Sequence, residues 1–174
     1  MSIHIIVDGY NVIRQSHTLS SMEHIELQLG RDALIDAVAE YKKIKRHKIT
    51  LVFDGINSNG VSYYNDIING IKIKFSRNGE TADTVIKNMA SEEREKALVV
   101  TSDLDIVRFA ESCHATVMSS KEFEKKIKSA LLYGNNYPID EKEENGWVPT
   151  TKKKGPKKKS SKKKRKLRIK AQKL

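Results

Sequence analysis

Three short, largely apolar runs, each stopping at an acidic turn, constrain this chain more than any other feature. Ile3 to Val7 leads into Asp8-Gly9, Ile49 to Phe53 into Asp54-Gly55, and Ala97 to Val100 into Thr101-Ser102-Asp103. Apolar runs of this length bounded by turn signals read as buried strands. Between them lie stretches of helical spacing. Arg31 to Arg46 puts Leu34, Val38, Tyr41 and Ile44 on one face, and Thr81 can cap a helix carrying Val85, Ile86 and Met89 inward. A strand that is apolar on both faces needs cover on both faces. Alternation of such strands with helices therefore predicts an α/β fold with a mainly parallel sheet. Right-handed crossovers would gather the strand C-termini along one rim, where open α/β sheets bind ligands.

The remaining segments fill in this frame. Ile71, Ile73 and Phe75 alternate with Lys72 and Lys74, as expected of a strand near a sheet edge. A short helix with Ile106, Phe109 and Ala110 as its apolar set is expected next, then a strand at Ala115 to Met118. Ser119 and Glu122 have capping-box spacing before a helix bearing Phe123, Ile127, Ala130 and Leu131. Asn11 to Gly30 is weakly patterned and reads as a loop or short helix. Asn57 to Asn69, with Tyr63 and Tyr64, reads as an irregular excursion. The lone Cys113 allows no internal disulfide and reads as a small core residue.

The charge is unevenly distributed. Residues 152–174 hold 14 Lys and Arg and no acid. The 33 basic residues of the whole chain less those 14 leave 19 against 22 acidic ones, a net of −3 for residues 1–151. The expected organisation is a folded domain over residues 1–133, a polar acidic linker over 134–151 and a lysine-rich, disordered tail over 152–174. Such asymmetry points to a polyanionic partner. A solubilising tail and, in a nucleated cell, a nuclear localisation signal are the alternatives. No run approaches the apolar length of a membrane span, and Met1 to Val7 lacks a basic leader region, so a cytoplasmic protein is expected.

Asp8, Asp54 and Asp103 all follow strand ends, and Asp83 opens the helix after the Ile71 strand, with Glu80 three residues earlier. On one rim their carboxylates would repel, at about 4 kcal/mol per close pair for an effective dielectric near 20. They must then protonate or share a cation. An oxygen-only donor set without paired His or Cys points to Mg²⁺ or Mn²⁺. Each Asp taken singly could instead be a helix cap. Asp105 either supplements the site or faces solvent. Asn11 either contacts phosphate, fixes Asp8 or stabilises a turn. Thr101 and Ser102 either serve metal and substrate or cap the next helix. Lys72, Lys74 and Arg77 either grip phosphates or form a solvated face.

Taken together, IIVDGYNVI, LVFDG, GETADTVI and VVTSD resemble the NYN domain family, in particular its YacP-like ribonuclease branch within the PIN-like nuclease superfamily. That resemblance covers about residues 3–132 and implies a three-layer α/β/α fold and a Mg²⁺- or Mn²⁺-dependent endoribonuclease. By motif, Asp8, Asp83 and Asp103 match the catalytic, metal-binding carboxylates, Asp54 matches a supporting ligand and Asn11 a substrate- or metal-orienting residue. Because this chain has Asp105 after TSD, Asp103 and Asp105 compete for the third position. The resemblance also implies mRNA as substrate and the ribosome as a partner. Two alternatives remain. A non-catalytic RNA- or ribosome-binding protein could retain the fold. A haloacid-dehalogenase-type phosphohydrolase also puts Asp at strand ends, but it needs a second Asp two residues on, where this chain has Tyr10.

Overall fold

The computed structural model describes residues 3–55, 65–77 and 79–133. The expected linker, the basic tail and Tyr63 and Tyr64 lie outside the described residues. Six strands are found: β1 (His4–Asp8), β2 (Lys48–Phe53), β3 (Asn65–Ile68), β4 (Ile71–Phe75), β5 (Ala97–Val100) and β6 (Thr116–Met118). The helices are α1 (Gly9–Gln15), α2 (His17–Ile25), α3 (Leu27–Lys45), α4 (Ala82–Glu93), α5 (Leu104–Ser112) and α6 (Ser120–Tyr133). They form one sheet in the order β3-β4-β2-β1-β5-β6. Every pairing is parallel except β3 with β4.

Period-2 alternation divides the core into two layers. Ile5, Val7, Leu51, Phe53, Ile73 and Leu98 point to one side, against Val12 and Ile13 of α1, Leu34, Val38 and Tyr41 of α3, and Phe123 of α6. Ile6, Val52 and Val99 point to the other, against Val85, Ile86 and Ala90 of α4 and Ile106 and Ala110 of α5. The expected three-layer α/β/α arrangement is what the chain adopts. No helix among the described residues is long and apolar enough to cross a membrane.

Four local expectations need correction. Asn11 to Gly30 is helical almost throughout, as parts of α1, α2 and α3. α2 buries no residue, so it leaves little apolar periodicity. Its start is fixed instead by Ser16, whose hydroxyl accepts the Leu19 N–H and donates to Glu124. Second, the end of the expected excursion is strand β3, joined to β4 by Asn69-Gly70, both at positive φ (51° and 78°). An Asn-Gly pair in the left-handed region is the sequence signature of a tight hairpin. Third, Phe109 and Leu131 are 37% and 46% exposed and do not join the core. Fourth, Cys113 is only half-buried, where α5 ends.

Candidate active site

The parallel register sets the height of each residue on the rim. Asp8 is paired with Val52, and Val52 with Lys74, so these three are level across β1, β2 and β4. Asp8 shares the strand face of His4 and Ile6, toward α4. Asp83 lies in the first turn of α4, and Asp103 stands at the start of α5. The carboxylates thus approach one place from β1, α4 and α5, with Asp54 beside them after β2.

Asp8 is the most enclosed, at 9% exposure. One of its oxygens accepts the Asn11 N–H at 3.2 Å and the other accepts the Thr101 hydroxyl at 3.0 Å. Burial pushes its pKa up to about 6; the two hydrogen bonds oppose the rise, and the charges of Asp83 and Asp103 add to it. Asp83 is also raised, first by burial and then by Asp103, with Lys87 opposing and Asp54 and Asp105 adding. Carboxylates raised by burial and by one another's charge at a ligand-binding edge make this rim the candidate functional site.

Asp103 uses one oxygen to accept the N–H groups of Asp105 (2.7 Å) and Ile106 (3.4 Å), capping α5. Asp54 accepts the Ser76 hydroxyl at 2.9 Å and the Ala82 N–H at 3.3 Å on one oxygen. Asp105 is exposed and paired with Lys87, whose hydrogen bond and then charge lower its pKa. In the competition between Asp103 and Asp105, Asp103 is therefore the one coupled to Asp8.

The polar residues divide by role. Thr101 is 1% exposed, and its hydroxyl donates to Asp8 and accepts the Asp103 N–H at 3.1 Å. It sits beneath the site as a positioning residue, whereas contact with substrate was one of the two expectations for it. The carboxamide oxygen of Asn11 accepts the Ser102 N–H at 2.9 Å and the Ser120 hydroxyl at 2.7 Å. The Ser102 hydroxyl in turn accepts the Ser120 N–H at 3.3 Å. Asn11 therefore ties β1, β5 and α6 together and leaves its amide nitrogen without a partner among the described residues. Ser120 and Ser76 were not anticipated, because a serine at a helix start or strand end gives no signal beyond capping.

Lys74 and Arg77 line a groove of about 240 Å³ beside α4, with Glu80, Asn88 and Glu92. Lys72 shares the face of Lys74 but lies two residues below the rim, paired with Thr50 and acting on His4. That register sets it apart from Lys74, which is level with Asp8.

Among the described residues, no three His, Cys, Asp or Glu side chains form a ready-made metal cage. The donors that converge are oxygens, and Mg²⁺ characteristically takes one or two carboxylates and completes its shell with water and substrate phosphate. An open carboxylate set with a buried, repelled Asp8 fits such an ion and does not fit a four-ligand Zn²⁺ site.

An open, mainly parallel sheet with acidic groups on its C-terminal rim is an arrangement that nuclease-type α/β domains share. The chain belongs to the YacP-like NYN domain family, whose sequence model matches residues 5–172. It is similar to a crystal structure of Rae1 (YacP) from Bacillus subtilis, with 26% identity, a TM-score of 0.63 and 76% of each chain covered. A structure of a variant of that protein matches with 24% identity and a TM-score of 0.62, over 75% of this chain and 77% of the other. In sequence the chain is 29% identical over 86 residues to "Uncharacterized protein YacP" of Bacillus subtilis (strain 168). That match spans about half the length of each protein, 49% of this chain and 50% of the relative.

Proposed function

We propose that this protein is a divalent-metal-dependent endoribonuclease that hydrolyses RNA phosphodiester bonds. The observation that carries the proposal is the electrostatic coupling of Asp8, Asp83 and Asp103, brought from three elements to one rim, with Asp8 buried and held up near pH 6. Folding such a group is unfavourable unless a cation offsets its charge, so its presence at the ligand-binding edge calls for one. Mg²⁺ or Mn²⁺ held by Asp8, Asp83 and Asp103, with Asp54 and Asp105 in support, would activate water and neutralise charge at the phosphorus.

The chain's own residues prepare that chemistry. Thr101 and the Asn11 N–H fix the Asp8 carboxylate, and Ser102 and Ser120 fix Asn11. The Asn11 amide nitrogen is a donor suited to a phosphate oxygen. Lys74 and Arg77 supply positive charge at rim height, and the tail's 14 basic residues supply sequence-independent affinity that the acidic body lacks. The proposal extends to mRNA as the substrate class and the ribosome as a partner, as the resemblance implies. Asp83→Asn, incubated with labelled RNA and Mn²⁺, should lose cleavage while keeping its thermal transition, with EDTA abolishing cleavage by the native protein. Full activity in the variant would remove the site assignment.

A further inference from the structure

Arg31 is a buried cation with no counterion among the described residues. It lies in the second turn of α3 at 7% exposure, and no described residue gives its guanidinium a hydrogen bond or ion pair. Its Nε is sealed from solvent with no partner. The acid at this place is Glu23, whose charge acts on Tyr10 and which faces Arg14 at 3.7 Å, while the acids that share α3 with Arg31, Asp32 and Asp36, accept from Gln28 and Asn69. Residues 56–64, which join β2 to β3 in sequence, contain no Asp or Glu. What Arg31 does touch is aromatic, its Cζ lying 5.6 Å from the centre of the Phe75 ring.

A second orphan donor stands beside it. The Tyr10 hydroxyl is buried without a partner, and Arg31 is close enough for its charge to act on that phenol. Tyr10 packs edge-on against Phe53 at 5.3 Å, Phe53 stacks on Phe75 at 5.7 Å, and Arg14 lies 5.5 Å over the Tyr10 ring. All three rings sit at strand C-termini: Tyr10 two residues after Asp8, Phe53 at the end of β2, and Phe75 at the end of β4. Two arginines and a phenol thus gather at the rim on the face opposite to α4. Their neighbour Asp54 is already bonded to Ser76 and Ala82.

A buried charge left uncompensated destabilises a fold, and a planar guanidinium beside an unpaired hydroxyl is suited to a phosphate. We infer that Arg31 and Arg14, with the Tyr10 hydroxyl beneath them, form a phosphate subsite that holds one backbone phosphate of an RNA strand crossing the rim. The carboxylates would act on a neighbouring phosphodiester across the sheet edge. The inference rests on the endoribonuclease reading for its ligand, but not for its site.

Two measurements on the full chain in EDTA test it, and neither reads cleavage. In thermal melts, inorganic phosphate should raise the transition of the native protein above a chloride control of equal ionic strength. Arg31→Met should lose that response and, without phosphate, melt no lower than the native protein. If Arg31→Met melts lower and both proteins respond equally, Arg31 is a packing residue and the inference fails. With a short single-stranded RNA, Arg31→Met should flatten the slope of log Kd against log salt by about 0.7, the value of one lost phosphate contact, and Arg31→Lys should restore it. A phosphate response with an unchanged RNA slope overturns the assignment to RNA. Loss of cleavage in Asp83→Asn with no phosphate response would sink this subsite and leave the proposed function standing. The converse pair of results would do the opposite.

Discussion

Replacing Asp8 by Asn should stabilise the metal-free protein while destroying its activity. The free carboxyl has an ordinary pKa of 3.8, and in the fold it is raised to about 6, chiefly by burial. That gap corresponds to about 3 kcal/mol. Between these two values the native state binds more protons than the unfolded chain, so this group's contribution falls as pH rises through the window. Above pH 6 to 7 the destabilisation is complete. Asp8→Asn removes the charge and keeps an oxygen for the Asn11 N–H. It also sets an amide N–H against the Thr101 hydroxyl, which must turn to accept it, a loss of about 1 kcal/mol. The net expectation at pH 7.5 is about 2 kcal/mol in favour of the variant.

Urea denaturation in EDTA at pH 4.5, 5.5, 6.5 and 7.5 measures this directly. The stability difference between Asp8→Asn and the native protein should grow with pH and level off above pH 6.5. Titrating groups that do not act on Asp8 are common to both proteins and cancel in the difference, whereas Asp83 and Asp103, whose charges act on it, add to the pH-dependent part. His4 is one that cancels: burial lowers its pKa, with Glu93 opposing, so it favours folding as pH rises, which is the opposite sign. Mn²⁺ should then raise the stability of the native protein and narrow the gap. A difference that is flat with pH, or one that favours the native protein most at pH 7.5, would refute the claim that Asp8 is held ionised against its environment.

Asp103→Ser keeps a helix cap and removes the carboxylate. It should leave stability within about 1 kcal/mol of native and abolish Mn²⁺-dependent cleavage, as a melt and an RNA assay would read together. Gly55→Ala should destabilise by more than about 2 kcal/mol in urea titration, because a Cβ there would stand 2.1 Å from the Ser76 carbonyl oxygen, which is backbone. Deleting residues 152–174 should flatten the salt dependence of RNA binding measured by anisotropy; an unchanged slope would exclude the tail as a tether.

The strands of the rim were legible because buried parallel strands have a composition of their own, and Asp8, Asp54 and Asp103 each end one. What was not legible depends on register and on partners distant in sequence. Lys72 and Lys74 have the same parity and look alike in the chain; only pairing with Thr50 and Val52 puts one below the rim and the other level with it. α2 left no periodicity because it buries nothing. Asn69-Gly70 did carry a hairpin signal, obscured by the polar run before it. Arg31 reads as the exposed side of an amphipathic helix until Phe75 and Tyr10 are folded against it. Thr101 could have faced either way, and its burial follows from the hydroxyl bridging Asp8 and the Asp103 N–H.

Capping and ligation, opposed as alternatives for each aspartate, are not rivals in this fold. A carboxylate has two oxygens and about four acceptor positions. Asp103 commits one oxygen to the first N–H groups of α5, and Asp54 commits one oxygen to Ser76 and to Ala82 at the start of α4. Capping fixes each side chain in one orientation on a rigid helix end and leaves the second oxygen for other use. Asp8 differs, with both oxygens already hydrogen-bonded and its pKa raised, chiefly by burial. A cation beside it would offset both the burial of its charge, the larger effect, and the repulsion from Asp83 and Asp103. The caps place the carboxylates, and the repulsion stored among them is the free energy that a divalent ion would release on binding.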